Sequence, residues 1–389
     1  MSQVTAFTLA DILFTGPGAL DKAPESLKGA GVKKPLIVTD KGIVKVGLAK
    51  RLEDVLTAAG IPYALYDDTV ANPTDDNVEE AFALYAKEDC DALIGLGGGS
   101  SMDTAKGCGI LATSGGPIDK YRGMGLLSAP LPYFIAIPTT AGTGSESTCA
   151  SIITNTRGDH HWKMVILDGR LLPKAAIIDP LLMTGLPPHI TASTGMDAMT
   201  HAIEAYISIA AMEYTDALAI GAIKLIFKYL RRAVGNGNDL EAREKMAYAQ
   251  TMAGMAFTNA GLGIVHSLAH PLSAFYGISH GDANALALPA CLEFNKIVCR
   301  EKMADIARAA GLTDLGPYPE DTAVAAVRRL SADVRIPASV SEAAARIGAR
   351  IDPKDIAPMS KDALNEISTF TTPRVPTLAD IEALYKQCW

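Results

Sequence analysis

Two short stretches in the second half of the chain carry residue types suited to holding a metal. One is Gly195-Met-Asp197-Ala-Met-Thr-His201; the other is His266-Ser-Leu-Ala-His270, continuing to His280-Gly281. Four of the seven histidines lie in these windows, together with a carboxylate. Asp197 and His201 are four residues apart, so on a helix they project from one face about a turn from each other. His266 and His270 repeat that spacing. Two such faces brought together would form a compact set of oxygen and imidazole donors for a divalent metal. Each histidine taken singly reads equally well as a helix cap or a neutral core donor. Their joint placement in Ala/Gly-rich surroundings with few competing charges favours the metal.

A chain of 389 residues exceeds what one hydrophobic core normally organises, so two domains are expected. Hydrophobic residues make up 49% and charged ones 20%, which describes a packed chain rather than a disordered one. A net charge of −8 and the lack of clustered Lys/Arg argue against nucleic-acid binding. Membrane association is not expected either: the most apolar stretch, Leu126 to Pro138, carries three prolines. The beginning of the chain, MSQVTAFTLADILF, lacks the basic-then-apolar layout of a secretory signal. The six cysteines show no metal-type spacing and read as reduced thiols of a cytoplasmic protein.

The elements that must position these residues change character along the chain. From Lys34 to about Ile178, short apolar runs alternate with amphipathic segments. Strands are predicted at 35–40, 62–67, 92–96 and 133–138, and helices at 43–59, 75–87 and 100–111. Apolar strands alternating with helices imply a parallel sheet covered on both faces. Beyond Asp179-Pro180, helical periodicity dominates. Helices are predicted over 191–209, 214–234, 240–259, 264–275, 280–295, 300–310, 319–330, 340–349 and 378–387. The tail from 352 to 376, with four prolines, reads as loop. The expected division is an α/β domain over 1–183 and an all-α domain over 184–389.

Within the first half, Gly95-Leu-Gly97-Gly98-Gly99-Ser100-Ser-Met-Asp103-Thr-Ala-Lys106 lies between a strand end and a helix start. Glycines there let the backbone approach a phosphate, and the helix start offers unpaired N–H groups and a positive dipole end. The dinucleotide pattern GxGxxG fails at its third glycine, where Ser100 stands, and the acidic candidate for the ribose, Asp40, lies upstream. A tight turn needed only for packing would explain this cluster alone. A second cluster, Ile137-Pro138-Thr139-Thr140-Ala-Gly142-Thr143-Gly144-Ser145-Glu146, follows the fourth strand. Three such groups at the carboxyl ends of parallel strands favour a dinucleotide.

Together, GGGSSMDTAK, IPTTAGTGSE, GMDAMTHAIEAY and HSLAHPLSAFYGISHG resemble the iron-containing (group III) alcohol dehydrogenase family. The likeness runs from about Leu13 to beyond Asn295; the last ~90 residues carry little that is diagnostic. It implies a dehydroquinate synthase-like N-terminal domain, an all-helical C-terminal domain and an active site in the cleft between them. It implies Asp197, His201, His266 and His280 as metal ligands, where spacing alone points to His270 rather than His280. His270 then becomes a group near substrate and nicotinamide, able to relay a proton. The likeness places NAD along Asp40, Asn72, Gly98, Gly99, Ser100, Asp103, Thr139, Thr140, Thr143 and Lys163. One carboxylate and three imidazoles suit Fe²⁺, with Zn²⁺ and other divalent ions also accommodated.

The implied reaction interconverts a small primary alcohol or diol and its aldehyde, with the metal polarising the substrate oxygen and hydride passing to nicotinamide. A homodimer or larger assembly is expected, with no nucleic-acid or membrane partner. Two alternatives remain at this stage. A metal- and NAD-dependent lyase or synthase on the same scaffold would need Lys/Arg around the metal for a polyanionic substrate, whereas the metal windows hold Ala, Leu, Met and Gly. A non-catalytic NAD- and metal-binding assembly protein would show no turnover. His160-His161 reads as an exposed loop, His189 as a helix-start residue, Cys108 and Cys149 as packing thiols, and Met246–Met255 as core with Phe257 able to line a pocket.

Overall fold

The computed structural model describes residues 6–157 and 162–389, so His160 and His161 lie outside the described residues. The chain divides into two compact units, one holding Phe7–Thr140 and Gly144–Met183, the other Ala141–Thr143 and Thr184–Trp389.

In the first unit, strands β1 (Ile12–Thr15), β2 (Pro35–Val38), β3 (Ala64–Tyr66), β4 (Ala92–Gly97), β6 (Tyr133–Pro138) and β9 (Ala175–Ile178) pair in parallel, in the order β1-β9-β6-β4-β2-β3. A smaller sheet of β5 (Gly123–Met124), β7 (Ala150–Asn155) and β8 (Trp162–Leu167) runs β5-β8-β7. Successive side chains of the central strands point to opposite faces. Leu36, Val38, Leu93, Phe134 and Ala136 feed one core, and Ile37, Ala92, Ile94, Ile135 and Ile137 feed the other. Burial on both faces is why these strands read as unbroken apolar runs.

Four of the main-sheet strands, β2, β3, β4 and β6, coincide with those predicted. β1 escapes because its apolar run, Ile12-Leu13-Phe14, is only three residues long, and Ile12 and Leu13 are exposed. The helix predicted over 43–59 is two helices, Lys41–Lys45 and Leu48–Ala58, separated by Gly47 in a left-handed conformation (φ +81°).

In the second unit, helices Pro188–Ile207, Glu213–Gly235 and Leu240–Ala260 pack mutually, and His280–Asn295 packs on Pro188–Ile207 and on Ile264–Tyr276. The stretch 352–376 departs from the loop reading: it contains a helix, Ile356–Leu364, flanked by 3₁₀ turns Pro353–Asp355 and Ile367–Thr371. Pro353 opens its turn and Pro358 sits in the first turn of the helix, where a missing N–H costs no hydrogen bond. Among the described residues, no helix is long and apolar enough to cross a membrane.

Candidate metal centre and dinucleotide cradle

Helix Pro188–Ile207 carries Asp197 and His201, helix Ile264–Tyr276 carries His266, and His280 opens helix His280–Asn295. One ligand atom from each lies within 4.8 Å of all the others. Asp197 Oδ1 is 3.8 Å from His201 Nε2 and 3.6 Å from His280 Nε2. Tetrahedral coordination with bonds near 2.1 Å needs donor separations of about 3.4 Å, so a small adjustment suffices. Asp197, His201 and His266 are buried, while His280 is partly open. Burial holds the His201 and His266 imidazoles below their ordinary pKa, leaving nitrogen lone pairs available.

Two buried carboxylates stand at this cluster. Asp197 is the first. The second is Glu204, whose Oε2 lies 2.5 Å from His266 Nδ1. Burial pushes the Glu204 carboxyl up to about 8, against backbone N–H groups of Val265, Gly263 and His266 that favour its charged form. Negative charge this deep is costly unless a cation offsets it, and a divalent metal would. Asn284, one turn after His280, sets its Nδ2 at 2.7 Å from Asp197 Oδ1 and 3.1 Å from Nε2 of both His266 and His280. Its Oδ1 is buried without a partner among the described residues. The donor set fits a divalent metal.

His270 takes a different position. Its Nδ1 is 2.9 Å from Glu366 Oε1, and its ring stacks on His280 with centroids 5.4 Å apart. Burial opposes ionisation of Glu366, but His270 and the Ser368 amide hold its carboxyl down at about 2. Phe257 stacks on His201 at 4.5 Å. His189 is exposed in the first turn of its helix, and Cys108 is buried.

In the first unit, β4 runs into helix Gly99–Ser114 through Gly97, whose φ of +147° disfavours a side chain and where a Cβ would stand 2.5 Å from Ser101 Oγ. Gly98 is the N-cap and supplies no side-chain cap, so the first N–H groups are left for a ligand. Thr139 Oγ1 is buried without a partner among the described residues, and Thr140 Oγ1 lies near Gly98. Asp40 follows β2, and Lys163 Nζ donates to Asn72 Oδ1 at 2.6 Å. Thr143 belongs to the helical unit. An open helix start, an unsatisfied hydroxyl and glycines where a Cβ would intrude suit a phosphate-bearing cofactor.

Asp103 is occupied differently, accepting from Ser145 Oγ (2.7 Å) and Ile152 N (3.1 Å). Beneath it Lys106 is fully buried, its three N–H donors set among Ser145 O, Ser145 Oγ, Thr148 O, Thr148 Oγ1 and Ala150 O, all 2.8–3.2 Å from Nζ. Burial lowers its pKa, opposed by Asp103. Lys106→Met should remove the shared donor of this loop and leave Asp103 without its buried cation, at a cost of about 3–5 kcal/mol, the range for breaking a buried charged pair. A thermal melt checks this; a melting temperature equal to wild type would mean that the strand-loop segment 145–150 does not depend on Lys106.

These are the requirements of a metal-dependent oxidoreductase that works with a dinucleotide. Residues 10–180 match the iron-containing alcohol dehydrogenase model, and residues 191–389 match the C-terminal model of the Fe-containing alcohol dehydrogenase family. The chain is 42% identical over 388 residues to 1,3-propanediol dehydrogenase of Klebsiella pneumoniae, covering 98% of each. It is 40% identical to the NAD-dependent methanol dehydrogenase of Bacillus methanolicus, covering 98% of this chain and 99% of that one. A crystal structure of 1,3-propanediol oxidoreductase superposes with a TM-score of 0.95 at 41% identity, covering both chains completely. The chain belongs to the iron-containing alcohol dehydrogenase family. It is an NAD-linked, metal-dependent enzyme that interconverts an alcohol and its aldehyde.

The sequence reading missed Glu204, Asn284, Glu366 and Lys106. Glu204 was open to discovery, since Asp197, His201 and Glu204 are spaced four and three apart and so share one helix stripe.

Proposed function

We propose that the substrate is a small primary alcohol or diol, oxidised reversibly to the aldehyde, with residues 1–183 as the dinucleotide-binding domain and 184–389 as the metal-binding domain. The observation that carries the reading is the convergence of Asp197, His201, His266 and His280 from three helices. These four would hold the metal, most suitably Fe²⁺, which when bound supplies Lewis-acid polarisation of the substrate oxygen. Gly98, Gly99 and Ser100 present the helix start to the NAD phosphates, with Thr139, Thr140, Thr143, Asn72, Asp103 and Lys163 around them. Asp40 receives the adenosine ribose.

His270 manages the proton. With Nδ1–H donated to Glu366, its Nε2 carries the lone pair that takes up the proton released as alcohol and NAD⁺ become aldehyde and NADH. Phe257 presents an apolar face beside His201, in keeping with a small, uncharged substrate. Six cysteines with no disulfide among the described residues support a reducing, cytoplasmic setting, and the family likeness supports a homodimer or larger assembly.

The test is a screen of short-chain alcohols, diols and aldehydes with metal-reconstituted protein, followed through NADH. Saturable NAD binding without turnover of any of them would sink the reading in favour of a binding protein.

A further inference from the structure

His266 has two ring nitrogens, and only one can face the other ligands. Nδ1 is engaged by Glu204 Oε2 at 2.5 Å, which leaves Nε2 to face Asn284 and the cluster. Glu204 is anchored at its other oxygen, Oε1, by the Val265 N–H at 2.7 Å. Room for that oxygen exists because residue 263 is glycine: a Cβ there would stand 2.7 Å from Oε1. Both carboxylate oxygens are therefore committed, one to backbone and one to imidazole. The Asn284 amide nitrogen can only donate, and its two N–H groups face Asp197 Oδ1 and, at 3.1 Å each, His266 Nε2 and His280 Nε2, an arrangement that favours a lone pair on His266 Nε2. The proton of the neutral ring then belongs on Nδ1, toward Glu204. An ionised Glu204 and the Asn284 amide both favour that atom.

We propose that Glu204 is a positioning residue that fixes the tautomer of His266, so that an unprotonated Nε2 is presented before any metal arrives. The inference rests on the ligand set proposed above. It makes Glu204 part of the metal-binding machinery without itself touching the ion, in the way outer carboxylates orient ligand histidines.

The geometry makes an unusual demand on substitution. In Glu204→Gln the Val265 N–H still needs an acceptor, so the amide oxygen turns to it and the NH₂ group meets His266 Nδ1. Nδ1 must then accept, and the ring proton moves to Nε2, where it blocks the metal. Glu204→Ala imposes no tautomer, although it removes more atoms.

The experiment uses the full chain, stripped of metal and titrated with Co²⁺ or Zn²⁺ against a competing chelator, with melts of the metal-free proteins alongside. Glu204→Gln should weaken metal binding roughly 10- to 100-fold while melting close to wild type, and it should bind more weakly than Glu204→Ala. Imidazole nitrogen NMR of the metal-free proteins should place the His266 proton on Nδ1 in wild type and on Nε2 in Glu204→Gln. A purely structural role reverses the order of the two variants and leaves the tautomer alone; either result overturns the proposal, as does unchanged affinity in Glu204→Gln. Metal uptake by the wild type separates the two claims. If it binds none, the ligand set itself fails; if it binds and Glu204→Gln binds equally, only the role of Glu204 falls.

Discussion

His266→Ala and His280→Ala should each lose both tight metal binding and turnover, whereas His270→Ala should keep its metal and turn over slowly. The contrast follows from where each ring sits. His280 Nε2 lies 3.6 Å from Asp197 Oδ1, and His266 Nε2 faces the same space. His270 instead engages Glu366 and reaches the cluster only by ring stacking. Loss of a direct ligand should exceed the roughly 10- to 100-fold that loss of an outer hydrogen-bond partner costs. Metal content after gel filtration and kcat for alcohol oxidation provide the two readouts. Should His270→Ala emerge without metal while His280→Ala retains it, the ligands are Asp197, His201, His266 and His270, and plain helical spacing was the better guide.

The second large effect concerns cofactor choice. Asp40 Oδ1 accepts from the Ile43 N–H at 3.0 Å and caps helix Lys41–Lys45, while Oδ2 lies 3.4 Å from Ser101 Oγ and faces the Gly97 turn. One oxygen thus serves the local fold and the other the phosphate-binding rim. A 2′-phosphate near this carboxylate meets repulsion of about 1–4 kcal/mol. That is roughly fivefold to several-hundredfold in favour of NAD over NADP. Asp40→Gly should raise kcat/KM for NADP sharply and lower it somewhat for NAD, at a capping cost of only a few tenths of a kcal/mol. Asp40→Asn keeps a capping oxygen without the charge and should shift the same ratio. An unchanged NAD/NADP ratio in both variants would reduce Asp40 to a helix cap.

Much of this arrangement is legible in the sequence. The central strands announced themselves because burial on both faces leaves no polar alternation to misread, and helix His280–Asn295, which Ser279 caps in the structure, has the predicted bounds. The small sheet was not legible. β7 and β8 are half-buried, with alternating exposure, and β5 is only two residues long. Asp197, His201, His266 and His280 were on the page as chemistry-bearing types, but choosing His280 over His270 took family likeness, because helical spacing knows nothing of the next helix. Glu366 lay beyond reach for a plainer reason. It stands 96 residues from His270, in a segment whose prolines read as loop. Nothing local in the sequence marks Lys106 as buried, because its oxygen partners come from residues 145–150, about 40 positions away.

His266 and His270 share a wiring plan: each hands Nδ1 to its own carboxylate, Glu204 or Glu366, from the same helix. Four residues of helix rise about 6 Å, and the two rings are 6.0 Å apart. The helix therefore acts as a ruler whose two graduations are an electrophile's ligand and a proton's resting place. Rulers of this kind do not stretch when loops rearrange or substrates change, so variation in the alcohol accepted can accumulate elsewhere without resetting the chemistry. An insertion of one residue between the two histidines would turn one of them by about 100° and take both marks off the scale together.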